Sequence, residues 1–196
     1  MNLPDVPPGI RLLGITGAPG AGKTTVAAAL ALPVLPMDGF HYADVELVRR
    51  GLRDRKGAPE TFDAEGYAVL LARVRAGEQD VVAPMFEREL EQPIAGAIAV
   101  PATGTVVTEG NYLLLDQPRW HAVRRQLDVV WHLHVDDVVR RERLVARHVE
   151  FGKTPDEARA WVARVDDANA ALVEAARDRA DLVVDVSAAR PRTPPA

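Results

Sequence analysis

The sequence predicts an α/β fold: a mostly parallel sheet with helices on both faces and a helical lid. Three observations predict it. Short apolar runs of strand type alternate with stretches of helical type along the chain. The first alternation encloses a glycine-rich turn, Gly17-Ala18-Pro19-Gly20-Ala21-Gly22-Lys23-Thr24. An arginine-rich helical stretch, residues 137–153, follows the longest strand-like run.

In chain order, residues 10–16 form an apolar strand, the glycine turn follows, and residues 25–31 continue as a helix. Residues 33–37 make a second short strand ending at Asp38. A helix over 43–51 leads into a charged loop, 52–61, punctuated by Gly57 and Pro59. Asp63 caps a helix through Tyr67, Leu70, Leu71 and Val74, which stops near Gly77. Residues 81–83 and 94–100 are strand-like, and the charged run 86–92 between them projects as a hairpin or loop. Residues 104–108 form a buried-type strand ending at Glu109, and 127–135 form the longest strand. After the arginine helix, Thr154-Pro155-Asp156-Glu157 combines an N-cap threonine, proline at the first helical position and a capping-box glutamate. Trp161, Val165, Ala168 and Leu172 then recur at helical spacing, which predicts one apolar stripe with Trp161 in the core. Residues 182–186 are the last strand, and the proline-rich tail 187–196 is expected to fray. No repeat or linker divides the chain, so residues 1–196 read as one domain.

Composition narrows the function. Hydrophobic residues make up 47% and charged residues 27%, with a formal net charge of −4. That balance argues against a partner gripped along a nucleic-acid backbone and leaves room for one small anion held locally. With no cysteine, disulfides, thiolate metal sites and cysteine nucleophiles are excluded, in keeping with a cytoplasmic setting. No apolar run reaches membrane-spanning length, and the first residues lack the pattern of a secretory signal.

The glycine turn carries the chemistry. Its glycines allow successive backbone N–H groups to converge on one anion, and the helix after it adds unpaired donors. Gly17, Ala18, Pro19, Gly20, Ala21, Gly22, Lys23, Thr24 and Thr25 are the expected nucleotide cradle. Lys23 reaches the β- and γ-phosphates, and the Thr24 hydroxyl is placed to hold Mg²⁺. Ligands in such sheets sit at the carboxyl ends of strands, where Asp38 and Glu109 stand. Asp38 is the expected base for an acceptor hydroxyl, and Glu109 the carboxylate on the metal side. Arg140, Arg143 and Arg147 are spaced to share one helix face, either a solvated face or a lid over the transferred phosphoryl. Arg143 and Arg147 are the members expected to act. His41 and Arg88 are expected to contact the acceptor; His121, His132 and His134 lack ligand spacing.

These residues resemble the uridine kinase, pantothenate kinase and phosphoribulokinase group of P-loop kinases. The likeness is greatest to bacterial nucleoside or nucleotide kinase-like proteins, some named "putative fructose transport system kinase". It rests on the glycine turn, Met37-Asp38-Gly39-Phe40-His41, the segment Lys56 to Asp63, Pro84 to Arg88, Glu109-Gly110-Asn111, and Arg143 to His148 through Asp166 and Asn169. The resemblance implies a P-loop NTPase fold, ATP and Mg²⁺ as cofactors, Asp38 as the acceptor-activating aspartate and Glu109 as the metal-linked glutamate. It also implies that Lys56 and Phe62 lie on a substrate-side loop, that residues 137–153 are the lid, and that the chain pairs into a homodimer. One departure is Phe86-Glu87-Arg88, where relatives often place Asp before the arginine. The long acceptor-binding insertion of pantothenate kinases is also short here.

The expected activity is transfer of the γ-phosphoryl of ATP to a hydroxyl of a small molecule: a nucleoside, a sugar or a pantothenate-like acceptor. The alternative is an ATP-binding regulatory NTPase or nucleotide sensor without an acceptor. A guanine-binding switch would carry Asn-Lys-x-Asp, and the chain has no Asn-Lys pair.

Overall fold

A computed structural model describes residues 3–187, so the expected fraying of the tail falls almost wholly on residues outside those described. Strand β1 (Leu12–Gly17) is buried along its whole length, as expected of a central parallel strand covered on both faces. It leads through the glycine turn into α1 (Lys23–Ala29). β2 (Val34–Pro36) ends in a tight helical turn, Met37–Phe40, followed by α2 (Asp44–Arg50). α3 (Ala64–Arg75) begins where the Asp63 carboxylate accepts the Gly66 N–H at 3.0 Å. β5 (Val106–Glu109), β6 (Val129–His134) and β7 (Leu182–Asp185) complete a five-stranded sheet in the order β2-β5-β1-β6-β7. Every pairing in it is parallel, so each strand's carboxyl end lies along one edge. Two apolar cores, one on each face, hold the sheet: one around Leu12, Tyr67 and Trp120, the other around Leu13, Val26 and Trp131.

β3 (Val81–Glu87) and β4 (Gln92–Val100) form a separate antiparallel hairpin. Strand structure includes Phe86 and Glu87, which leaves a shorter projecting tip than the sequence predicts. Helix α4 (Pro118–Arg124), between β5 and β6, is an element the sequence reading lacks. It buries Trp120 and Val123 against α3.

The arginine stretch is α5 (Asp137–Glu150), whose N-cap Asp136 accepts the Val138 N–H at 2.8 Å. α6 (Pro155–Trp161) has the predicted capping box. The expected single helix does not continue regularly: a π turn, Val162–Asp166, separates α6 from α7 (Asp167–Glu174). The predicted stripe is corrected accordingly. Ala158, Val162, Asp166, Asn169, Ala170 and Val173 are buried, whereas Ala168 and Leu172 are exposed and Trp161 is only half-buried.

Candidate functional site

The glycine turn wraps against α5. Gly20 and Gly22 have φ of +83° and +91°, the left-handed region that favours glycine. A Cβ on Gly20 would stand 2.9 Å from the Arg140 carbonyl oxygen and from Leu144 Cγ, so turn and α5 are in close contact. The Lys23 ammonium donates to the carbonyls of Gly17 at 2.9 Å and Ala18 at 3.2 Å. Burial lowers its pKa, and the charges of Glu109 and Asp38 oppose that shift. Ammonium and carboxylates therefore stand close enough to feel one another's charge.

Two strand ends bring those carboxylates there. Glu109 closes β5, is only 7% exposed, and accepts the Thr24 hydroxyl at 3.0 Å. Burial raises its pKa and the neighbouring Asp38 adds to the rise, while Lys23 counters it. Asp38 lies in the turn after β2. The two strand ends crowd each other: a Cβ on Gly110 would lie 2.4 Å from Met37 Cβ. The hairpin crowds the turn as well, since a Cβ on Gly39 would lie 2.3 Å from the Pro84 carbonyl oxygen. Arg88, from the hairpin, stands 3.4 Å from the Asp38 carboxylate. His41 stacks near Phe62 and Phe86, with ring centroids 3.9 and 4.9 Å away, and its Nδ1 bonds the Asp38 carbonyl at 2.8 Å. Burial lowers the His41 pKa, which favours the neutral imidazole.

The Thr24 hydroxyl and the Glu109 carboxylate are hard oxygen donors of the kind Mg²⁺ takes. Among the described residues no cluster of three or more His, Asp or Glu could cage a metal. The donor set thus fits an ion shared between one carboxylate, one hydroxyl and substrate oxygens, as Mg²⁺ is bound in phosphoryl-transfer sites.

Helix α5 splits its arginines. Arg143 and Arg147 line the cleft, whereas Arg140, on the same face of the helix, is turned to other partners. Arg140 is 2% exposed and is held by Asp137 at 3.0 Å and Asp167 at 2.5 Å. It fastens α5 to α7, because a guanidinium this buried needs paired carboxylates. His148 meets Asp166 at 2.9 Å across the same junction.

Together these elements enclose a cavity of about 370 Å³. Pro19, Gly20, Gly22, Lys23, Thr24 and Thr25 line it, as do Asp38, His41, Lys56, Phe62, Arg88 and Glu109. Gly17, Ala18 and Ala21 lie behind the wall; Ala18 and Ala21 are buried against the protein interior. Gly57, Asn111 and Leu144 also line the cavity, and a further wall, formed by Trp161, Val165, Asp166 and Asn169, was not assigned to the site from residue patterns. Trp161 was read as core and is instead part of the cleft. No polarity pattern marks Asp166 and Asn169 in the sequence, since charged residues recur along this segment; burial is what sets them apart.

No family model matches the chain. A Schizosaccharomyces pombe protein named "Putative uridine kinase" is 33% identical over 192 residues, covering 88% of this chain and 82% of that protein. A pantothenate kinase of Limosilactobacillus reuteri is 31% identical over 138 residues, 64% of this chain but 44% of that enzyme. The crystal structure of a "putative fructose transport system kinase" from Silicibacter sp. TM1040 superposes with a TM-score of 0.81 at 41% identity, covering 93% of both chains.

Proposed function

The chain belongs to the uridine kinase and pantothenate kinase group of P-loop kinases, phosphotransferases with an alcohol acceptor, and on that premise we propose how its own residues act. The glycine turn and Lys23 hold the phosphates of ATP. Thr24 and Glu109 hold Mg²⁺, which when bound supplies charge neutralisation between the phosphates. Asp38 orients the acceptor hydroxyl and takes its proton as the oxygen bonds to the γ-phosphorus and the bridging bond to ADP breaks. Arg143 and Arg147 spread the charge of the phosphoryl group in transit. Positioning and electrostatics carry the rate, because the loose transition state asks for little covalent chemistry.

One observation carries this reading: Asp38, Lys23 and Glu109 line a single cleft beside the glycine turn. The acceptor end, with Asp38, His41, Phe62 and Arg88, combines aromatic faces with polar groups, and this supports a small hydroxylated molecule of nucleoside, sugar or pantothenate type. The limited match to the longer pantothenate kinase weighs against pantothenate itself. Coupled ADP release, measured with and without nucleosides, pantothenate, fructose and other sugars, tests the proposal. Release that depends on one acceptor class supports it. Release indifferent to every acceptor means a nucleotide hydrolase or sensor.

A further inference from the structure

Lys56 lines the cleft, yet its ammonium is already engaged. It donates to Asp44 Oδ1 at 2.8 Å and to the Glu91 carbonyl at 2.5 Å. Asp44 opens α2, whereas Glu91 closes the tip of the β3–β4 hairpin. The Asp44 backbone N–H donates to Gln92 Oε1 at 3.0 Å, a second tie between the same two elements. Glu91 itself has φ of +53°, a left-handed conformation unusual for a residue with a side chain. The Lys56 ammonium also stands 5.5 Å from the centre of the Phe86 ring.

The two sides of this junction differ in how they are anchored. Beyond Lys56, the Gly57 carbonyl accepts the hydroxyl of the buried Tyr112 at 2.6 Å, and the Gly57 N–H donates to Thr61 at 3.1 Å. Lys56 thus springs from backbone fixed to the core. The hairpin is a two-stranded ribbon outside the main sheet, with much of β4 exposed. Such ribbons are marginally stable alone. Its tip nevertheless delivers Phe86 beside His41 and Arg88 beside Asp38.

We propose that Lys56 is a positioning residue whose ammonium latches the hairpin tip to α2 and so holds Phe86 and Arg88 over the acceptor end of the cleft. The consequence of this latch for turnover rests on the phosphotransfer reading above; its consequence for the hairpin does not.

The test pairs Lys56→Met with Asp44→Asn, because the Asp44 side chain is outside the cleft wall. Hydrogen exchange is followed at the amides of residues 88–92 without any substrate, and steady-state kinetics are then measured for both substrates. Both variants should speed exchange at the tip. Both should raise the acceptor KM roughly tenfold, the loss of one charge-assisted bond. The ATP KM should stay within about twofold, since the phosphate cradle is untouched. The double variant should be no worse than Lys56→Met alone. Lys56→Arg, which keeps donors for both oxygens, should restore tip protection. Unchanged exchange in both single variants overturns the latch. So does an acceptor KM raised by Lys56→Met and left alone by Asp44→Asn, which would mean that Lys56 touches the acceptor itself. If no acceptor supports turnover, the phosphotransfer reading fails while the exchange arm still decides the latch.

Discussion

The Thr24 hydroxyl donates to Glu109 Oε1 at 3.0 Å across 85 residues of sequence, joining the start of α1 to the end of β5. Both groups line the cleft beside the glycine turn. The bond keeps a carboxylate that is 7% exposed aimed at the phosphate turn.

Glu109→Gln should therefore separate stability from activity. Burial and Asp38 raise the Glu109 pKa in the folded protein, so its ionisation costs stability above that raised value. As pH falls through it, the carboxyl takes up its proton and the cost is relieved. The amide, which can still accept from Thr24, should raise Tm by about 2–4 °C at neutral pH, and the gain should shrink at acid pH. Mg²⁺-dependent transfer should fall by about 100-fold or more. Melting curves at two pH values and turnover assays check both halves.

Asp38→Ala should retain nucleotide affinity within about twofold and lose transfer by roughly 10²–10⁴-fold, the range for a positioned base. Calorimetric titration with ADP and an acceptor-dependent assay give the two numbers. Unchanged turnover would remove Asp38 from the role of base.

Gly39→Ala should injure acceptor handling and spare the phosphate turn. The new methyl would stand 2.3 Å from the Pro84 carbonyl oxygen, a backbone atom that cannot rotate away. Either the hairpin lifts or the Asp38 turn shifts, and about 1 Å of misplacement costs on the order of 100-fold in rate. Stopped-flow nucleotide binding should remain near wild type.

Arg147→Ala and Arg140→Ala should fail in opposite ways. Arg147 lines the cleft, so its loss should lower kcat by roughly 10³-fold with little change in Tm. Arg140 is 2% exposed and paired with Asp137 and Asp167, both more exposed, so its loss should cost about 2 kcal/mol of stability. Denaturant melts and kinetics on both variants tell them apart.

The glycine turn and its flanking strand and helix were legible because one local motif specifies them. Asp38 and Glu109 followed from chain topology, since parallel strands share a carboxyl edge. Three- and four-residue spacing puts Arg140 on one helix face with Arg143 and Arg147 but does not say which guanidinium reaches the cleft. The neighbours of Arg140, Asp137 and Asp167, decide where its guanidinium goes, and Asp167 lies beyond the next helix in sequence. The apolar stripe was misread for a different reason. A π turn changes the angle at which later residues leave the helix, and no local propensity announces it. α4 was missed because its apolar residues, Trp120 and Val123, mark only one turn of a seven-residue helix.

The hairpin shares no strand with the five-stranded sheet. Main-chain ladders transmit distortion from strand to neighbouring strand, and here none runs between the two. Exchange of residues 86–94 for a foreign ribbon should accordingly leave the order β2-β5-β1-β6-β7 as it is. On the proposed reading, appetite for a new alcohol and competence to grip a triphosphate would then be separately heritable traits.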